Sequence, residues 1–338
     1  MFLGAQSVST KKFVSGLVLA LTALPALAAK PVLTVYTYDS FASKWGPGPA
    51  IKVAFEKQCG CTLHYVTLED GISLLNRLRM EGPRSKADVV LGLDNNLLES
   101  ATKTGLFAPA NIDTQKLKVP NGWTDKTFIP YDYGYFAFVY NKKRLPHPPK
   151  SLHELVESPE KWRVIYEDPR TSTPGLGLLL WMNHVFGDKT AQAWQQLAKK
   201  TVTIPRGWSE AYGLFLKGEA DLVLSYTTSP AYHIMEEHNN DYAAANFSEG
   251  HYLQVEVAGQ LAKSPQPALA HQFMQFMLSD DFQKTLATGN WMYPATHQPL
   301  PGAIEQLPVP QQALQYSASQ VADSRASWVE SWQMAVSR

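Results

Sequence analysis

Two hydroxyl-rich runs stand out as places where chemistry could occur. They are Thr171-Ser172-Thr173-Pro174-Gly175 and Tyr226-Thr227-Thr228-Ser229-Pro230, and each precedes an expected helix. Hydroxyls and free backbone N–H groups at a helix start favour a phosphate or another anion. An ordinary N-cap needs only one such hydroxyl, so simple capping is the competing reading of both runs. Around them fall Tyr38, Trp208, Tyr226, Tyr232 and Trp291. An aromatic face attracts an organic cation by roughly 0.5–2 kcal/mol; the alternative role for each ring is core packing. Asp70, followed by Gly71, sits between an expected strand and helix. Its carboxylate could cap that helix through Ser73 or accept hydrogen bonds from a ligand amine. Asp168-Pro169-Arg170 could be a structural ion pair or a phosphate contact, and the structural reading is favoured.

Catalytic patterns are weak. The nine histidines fall in no HExxH or other metal spacing, and there is no GxSxG elbow or P-loop. Gly175-Leu176-Gly177 belongs to a helix start. The two cysteines, Cys59 and Cys61, flank Gly60, and without histidines at ligand spacing they make no zinc site. A strained disulfide and two free thiols are both open. As a nucleophile, either cysteine would sit between a helix and a strand start, at the wrong end of a sheet. No catalytic residue, metal or cofactor is expected.

The elements that must hold these residues alternate between strands and helices. Residues 33–38 and 62–68 read as strands, 50–58 and 72–81 as helices, and 87–93 as a strand running into the capping sequence Asp94-Asn95-Asn96. The aromatic run 129–141 reads as a long strand and a first crossing. A second alternating unit follows, with a helix at 209–217, a strand at 221–225 and a helix at 230–237. Residues 251–262 alternate like a half-buried strand returning the chain to the first unit. Helices are expected at 267–278, 280–288 and 321–336, with a Pro-rich loop before the last. This is an α/β chain with parallel-type sheets flanked by helices. It divides into a leader at 1–28, a discontinuous first lobe (29–130 and 251–338) and a second lobe (131–250), with hinge crossings near both ends of the second. In such sheets ligands sit beyond the carboxyl ends of the strands, which are where the residues above fall.

The leader expectation rests on Lys11 and Lys12, an apolar run over 13–23, and Ala26-Leu27-Ala28. That run is short of the ~20 residues a bilayer span needs. Export to the periplasm follows, with cleavage after Ala28 or Ala29. Removing the leader takes two lysines and no acid from 30 basic and 30 acidic residues, leaving a charge of about −2. Nothing here favours nucleic acid. Roughly 310 remaining residues exceed what one growing core serves, so two domains are expected.

Long stretches then carry a resemblance: PVLTVYTYDSF (31–41), LEDGISLLNRLRMEG (68–82), KADVVLGLDNNLL (86–98), DPRTSTPGLGLLLW (168–181), GWSEAYGLFLKGEADLVLSYTTSPAYH (207–233) and GNWMYP (289–294). They resemble the thiamine-binding receptors of bacterial thiamine ABC transporters, a group of extracellular solute-binding proteins. The resemblance covers nearly the whole mature chain and is weakest around Cys59–Cys61 and across 296–319. It implies a two-lobed periplasmic binding-protein fold, without enzymatic activity, that captures thiamine, thiamine monophosphate and thiamine diphosphate. It also implies delivery to an inner-membrane permease with its cytoplasmic ATPase. Carried onto this sequence, the ligand contacts fall on Asp70, Gly71, Ser172, Thr173, Trp208, Tyr226, Thr227, Thr228 and Ser229. Tyr38, Tyr232 and Trp291 supply aromatic packing. The resemblance implies that the aromatics cradle the pyrimidine and the cationic thiazolium, that Asp70 addresses the polar pyrimidine edge and that the hydroxyl runs meet the phosphate. Two alternative readings lack their key residues. An enzyme of the thiaminase I type lacks a pocket cysteine here. An iron(III) receptor would use paired tyrosines, but Tyr226 is followed by Thr227.

Overall fold

Successive β-branched and aromatic residues in VLTVYTY favour extended backbone, and they form β1 (Val32–Tyr38). The structure is a computed structural model describing residues 28–337 together with Met1 and Gly4. The expected leader therefore lies almost wholly outside the described residues. The described residues from Pro31 onward form one compact unit.

After β1 comes a short helix, α1 (Asp39–Ala42). It leads to α2 (Gly48–Cys59), which Gly60 ends in the left-handed region at φ 60°. Then come β2 (Thr62–Leu68), α3 (Gly71–Glu81), β3 (Val89–Asp94), α4 (Leu98–Thr102) and β4 (Phe107–Ala108). The Asp94 side chain accepts the Asn96 N–H, as the capping sequence predicts. The long β5 (Ile129–Asn141) is followed by α5 (Leu152–Glu157), β6 (Val164–Ile165), α6 (Thr173–Phe186), α7 (Thr190–Ala198) and β7 (Thr201–Thr203). Next are α8 (Trp208–Leu216), β8 (Leu222–Tyr226), α9 (Pro230–Glu236), β9 (Tyr242–Ala244) and β10 (His251–Leu261). The chain continues through α10 (Pro267–Phe276), α11 (Asp280–Gln283), β11 (Tyr293–Pro294), α12 (Gly302–Glu305), β12 (Ala313–Leu314) and α13 (Ala318–Val336).

The strands form a mixed sheet in the order β2-β1-β3-β10-β5-β8-β6-β7, flanked by helices. Parallel pairing holds at both ends, in β2-β1-β3 and in β7-β6-β8. The two long central strands run antiparallel to each other and to β3 and β8. Alternation alone does not reveal this direction. The residues of β10 are buried along its length except Gln260, where a half-buried strand was expected. The first part of β5 pairs with β10, and its second part pairs with β8 and β9.

The single helix expected over 280–288 is broken. α11 ends at Gln283, and a π-helical turn at Leu286–Asn290 closes on Trp291, whose φ of 56° is left-handed. Gly289 passes close to Pro47, where an added Cβ would lie 2.9 Å from the Pro47 Cβ. That approach excludes a larger residue from the turn. α13 packs against α4 and also against α6 and α7, with Trp332 Nε1 donating to the Tyr166 hydroxyl at 3.0 Å. Cys59 and Cys61 form a disulfide, and no free cysteine remains among the described residues. No helix among the described residues is long and apolar enough to cross a membrane.

Candidate functional site

The carboxyl ends of β1, β2 and β8 converge with the start of α6 and the turn after α11 on a cavity of about 250 Å³. Its walls are aromatic. Gly207 is the N-cap of α8, so Trp208 opens that helix beside Asp70. The Trp208 ring stacks on Tyr212 with centroids 5.0 Å apart, and Trp45 approaches it at 6.1 Å. Tyr212 is itself fixed, because its hydroxyl meets His233 Nε2 at 2.8 Å and His233 Nδ1 meets Glu237 at 2.6 Å. Trp291, aimed inward by its left-handed backbone, packs edge-on against Tyr232 at 5.5 Å. Tyr226 lies over Phe136 at 5.2 Å and donates its hydroxyl to Gln254.

A short hydroxyl chain supports this wall. Trp208 Nε1 donates to Ser225 Oγ at 2.9 Å, Ser225 and Ser229 share a bond of 2.6 Å, and Ser229 Oγ accepts the Tyr226 N–H at 3.2 Å. When Ser225 is the donor of the middle bond, the Ser229 hydroxyl proton is free to point at a ligand.

The floor carries carboxyls. Asp70 does not cap α3 with its side chain, against one of the two expected roles. It accepts the Trp208 backbone N–H at 3.0 Å and a hydrogen bond from Ser172. Burial still pushes its carboxyl well above the usual range, because those two bonds only partly offset lost hydration. Asp132 and Glu256 face each other directly across β5 and β10. Asn290 Nδ2 reaches Asp132 Oδ2 at 2.7 Å, the Tyr38 hydroxyl at 2.9 Å and Glu256 Oε2 at 3.2 Å. Burial raises both carboxyls, and their mutual repulsion raises Asp132 further. Hydrogen bonds from Asp132, Tyr38, Tyr131 and Asn290 favour the charge on Glu256. Two like charges this close do not both ionise readily, so the pair favours holding one proton between them. Asp94 is pushed up to about 7 by burial, and Glu167 well above its usual value by burial and the nearby Asp70. None of these five acids joins an ion pair among the described residues. No cluster of three or more metal-ligating side chains occurs there either.

Of the sequence-predicted residues, Tyr38, Asp70, Thr173, Trp208, Tyr226, Ser229, Tyr232 and Trp291 line the cavity together. The other four are not part of the lining. Gly71 packs so tightly that an added Cβ would lie 2.2 Å from the Gly92 carbonyl oxygen. Ser172 is fully buried and caps α6, accepting the Gly175 N–H at 3.4 Å. Thr227 donates its N–H to the Tyr135 carbonyl at 2.9 Å. Thr228 donates its hydroxyl to the Trp291 carbonyl, so it positions that ring from below. Asp168 pairs with Arg170 at 2.6 Å outside the lining, as the structural reading of that run anticipates. Sequence reasoning missed Trp45, Tyr212, Glu256 and Asn290, all of which line the cavity. The available signal for the acidic floor was a single acid inside each of two long strands, Asp132 in β5 and Glu256 in β10.

Contacts across the cavity join the two hydroxyl-bearing and acidic sides. Arg206 pairs with Glu69 at 3.0 Å, Ser209 Oγ donates to Asp39 at 2.8 Å, and the Ser73 N–H donates to the Thr171 carbonyl at 3.1 Å.

Comparison with known proteins places these features in a family. The profile of bacterial extracellular solute-binding proteins matches residues 37–284. The chain is 66% identical over 320 residues to a thiamine-binding periplasmic protein of Salmonella typhimurium, covering 95% of this chain and 98% of that one. It is 66% identical over 310 residues to a protein of the same description from Escherichia coli K12, covering 92% and 95%. A solved structure of a periplasmic thiamin binding protein superimposes with a TM-score of 0.90 at 66% identity, covering 91% of this chain and 97% of that one.

Proposed function

The chain belongs to the bacterial extracellular solute-binding proteins, and on that premise we propose that its cleft captures thiamine for an ABC importer. Thiamine joins a permanently cationic thiazolium to an aminopyrimidine, with a hydroxyethyl arm that carries the phosphates. The observation that carries this reading is the pairing of aromatic walls with Glu256, a buried carboxyl in the lining that joins no ion pair among the described residues. Ring faces contribute about 0.5–2 kcal/mol each toward an organic cation. A carboxylate in a low-dielectric cavity adds an attraction that bulk water would largely screen.

Thiamine monophosphate and thiamine diphosphate are proposed as further ligands. Thr173, in the first turn of α6, and Ser229 face the cavity and supply donors suited to a phosphate. Asp70 beside them is compatible with an anion because burial favours its neutral form. The proposed contacts are the eight lining residues identified from sequence, with Gly71, Ser172, Thr227 and Thr228 shaping them from outside the lining. The proposed lobes are 29–130 with 251–338, and 131–250; the Arg206–Glu69 and Ser209–Asp39 contacts would form as they close. Residues 1–28 would be the cleaved leader to the periplasm, and the docking partner an inner-membrane permease with its cytoplasmic ATPase.

The reading is of a binding protein, not an enzyme. A thiaminase-type mechanism needs a thiolate nucleophile, and Cys59 and Cys61 are bonded to each other beyond the far end of β2. Calorimetric titration of the ligand-free mature protein with thiamine tests the proposal. Saturable binding with intact thiamine recovered afterwards is the expected result. Absence of saturable binding at micromolar ligand would end it.

A further inference from the structure

Away from the cleft, positive charge gathers where neither the fold nor the proposed function uses it. β10 runs from the cleft, which Glu256 lines, to the opposite pole, where Gln260 pairs with Val89 at the start of β3. There a second cavity of about 500 Å³ opens between the end of α3, the end of α4 and the turn after β10. Arg79, Lys103 and Lys263 line it, one from each segment, and no carboxylate does. We propose that this cavity binds a phosphate-bearing anion through Arg79 and Lys263, with Lys103 and the Ser100 hydroxyl beside them. The proposal goes beyond the thiamine reading of the cleft and does not depend on it.

Basic residues at a helix end commonly serve its last carbonyls. Here those carbonyls already meet backbone donors. The Gly82 N–H reaches the Leu78 carbonyl, the Lys103 N–H the Glu99 carbonyl at 3.0 Å, and the Thr104 N–H the Ala101 carbonyl at 3.1 Å. Among the described residues, the lysine and arginine side chains that donate to carbonyls are Lys52, Arg163 and Lys200, none of them in this lining. Arg79 and Lys263 also join no ion pair among the described residues. Lys103 reaches Glu99 at 3.4 Å, an exposed pair of the kind worth at most about 1 kcal/mol. Glu81, the acid in the last turn of α3, already accepts from Arg77, Ser85 and Tyr36.

The ends of α3 and α4 that face this pole each carry roughly half a negative charge, which three full cations outweigh. An arginine fork and two ammonium groups around one concavity suit an anion with several oxygens, and a phosphate offers three. The hydroxyls of Ser85 and Thr104 are committed to Glu81 and to the Ala101 carbonyl, but that of Ser100 makes no hydrogen bond among the described residues. The cavity volume falls within the roughly 300–1,000 Å³ of small-molecule sites, so there is room for a phosphate ester or a diphosphate and not only a lone ion. Close to Arg79 stands Arg325 of α13. Burial disfavours the Arg325 charge, Arg79 disfavours it further, and Asp94 offsets part of this. An anion held at Arg79 would relieve the repulsion between the two guanidinium groups.

Pyrophosphate is the probe, titrated by calorimetry at low salt into the mature protein with and without excess thiamine. We expect saturable binding that thiamine does not displace and that added salt weakens. The double variant Arg79→Ala, Lys263→Ala should bind pyrophosphate at least ~10-fold more weakly, with thiamine affinity within about two-fold of wild type. If the double variant does not fold, Lys263→Gln, on an exposed turn, should still weaken pyrophosphate by about three-fold or more. No saturable binding up to ~10 mM pyrophosphate overturns the proposal, as does an unchanged affinity in the variants. Displacement by thiamine also overturns it, because the anion would then sit in the cleft. Flotation with phosphatidylglycerol vesicles, against phosphatidylcholine vesicles, identifies the source of the phosphate. Retention on the anionic vesicles that the double variant loses assigns the site to a lipid headgroup, and pyrophosphate binding without retention assigns it to a free phosphate compound. A protein that binds pyrophosphate here but not thiamine would end the reading of the cleft and leave this site standing.

Discussion

The backbone N–H of Trp208 donates to the Asp70 carboxylate at 3.0 Å, across 138 positions of sequence. One buried acid thus fixes the first residue of α8, and with it the indole that forms a wall of the cavity. Trp208 is held at its other end by Ser225, so its ring is oriented by residues from both sides of the cleft. Ring position and cleft geometry are therefore coupled. Anything that separates Asp70 from α8 also moves the aromatic face.

Replacing Trp208 with alanine removes that face but keeps the backbone N–H that Asp70 accepts. Loss of one stacked aromatic should weaken thiamine and both phosphates alike, by roughly 1–2 kcal/mol, or about 5- to 30-fold. Calorimetric dissociation constants for the three ligands check this. A loss confined to one ligand would contradict a wall shared by all of them.

Asp70→Asn keeps an acceptor for Trp208 and abolishes ionisation. Asp70 is raised by burial, so in the wild type it passes from neutral to charged as pH climbs through its folded value. Above that value its charge opposes a phosphate. Affinity for thiamine diphosphate relative to thiamine should accordingly fall as pH rises through that value in the wild type. The trend should be flatter in Asp70→Asn. Parallel slopes for the two proteins would place the anion away from Asp70.

Gly71 and Ser172 belong to the predicted ligand set yet lie outside the lining. Gly71→Ala would thrust a methyl against the Gly92 carbonyl oxygen 2.2 Å away, and should destabilise the protein by about 1–3 kcal/mol. Ser172→Ala removes the cap of α6 and should cost about 1 kcal/mol. Chemical denaturation measures both. A drop in phosphate affinity for Ser172→Ala without loss of stability would instead give its hydroxyl a direct ligand role.

Glu167 is fully buried, and neither of its carboxyl oxygens meets a hydrogen-bond donor among the described residues. Its folded value is raised, so the folded state binds this proton more tightly than the unfolded one. Its contribution to stability is then largest below the unfolded value, near pH 4, and is lost as pH climbs toward the folded value. Glu167→Gln should raise the melting temperature at about pH 8 by ~2 °C or more, and the gain should shrink by about pH 5. His251 acts in the opposite sense, since burial lowers it and acid then charges it at a cost. Comparing variant with wild type at each pH cancels that term. A gain that grows on acidification would contradict the assignment.

Much of the frame could be read in advance, because strand and helix periods are written into local residue order. The run 62–68 is bounded as expected, and α3, α8 and α9 fall within a residue or so of their expected limits. The direction of β5 and β10 could not be read, since a strand buried on both faces has the same apolar character whichever way it runs. The cavity residues divide on similar lines. Trp208 and Ser229 follow from their places at strand ends and helix starts. Asn290 and Trp291 depend on a π turn and a left-handed residue that no simple period encodes, and Glu256 depends on which strand lies beside β10. The resemblance to known receptors supplied the ligand's name, and it supplied Gly71 and Ser172 without saying that they would stand outside the lining.

The position of β10 also bears on how the chain comes together. It is inserted between β3 and β5, although it follows both by more than a hundred residues. During synthesis the β2-β1-β3 edge and the β5-β8 edge can each begin to pair locally, but the seam between them stays open until residues 251–261 have emerged. Closing such long loops is slow. A truncated chain ending before β10 should therefore stay protease-sensitive, and the full-length chain should pass through a long-lived unassembled state before its sheet is complete.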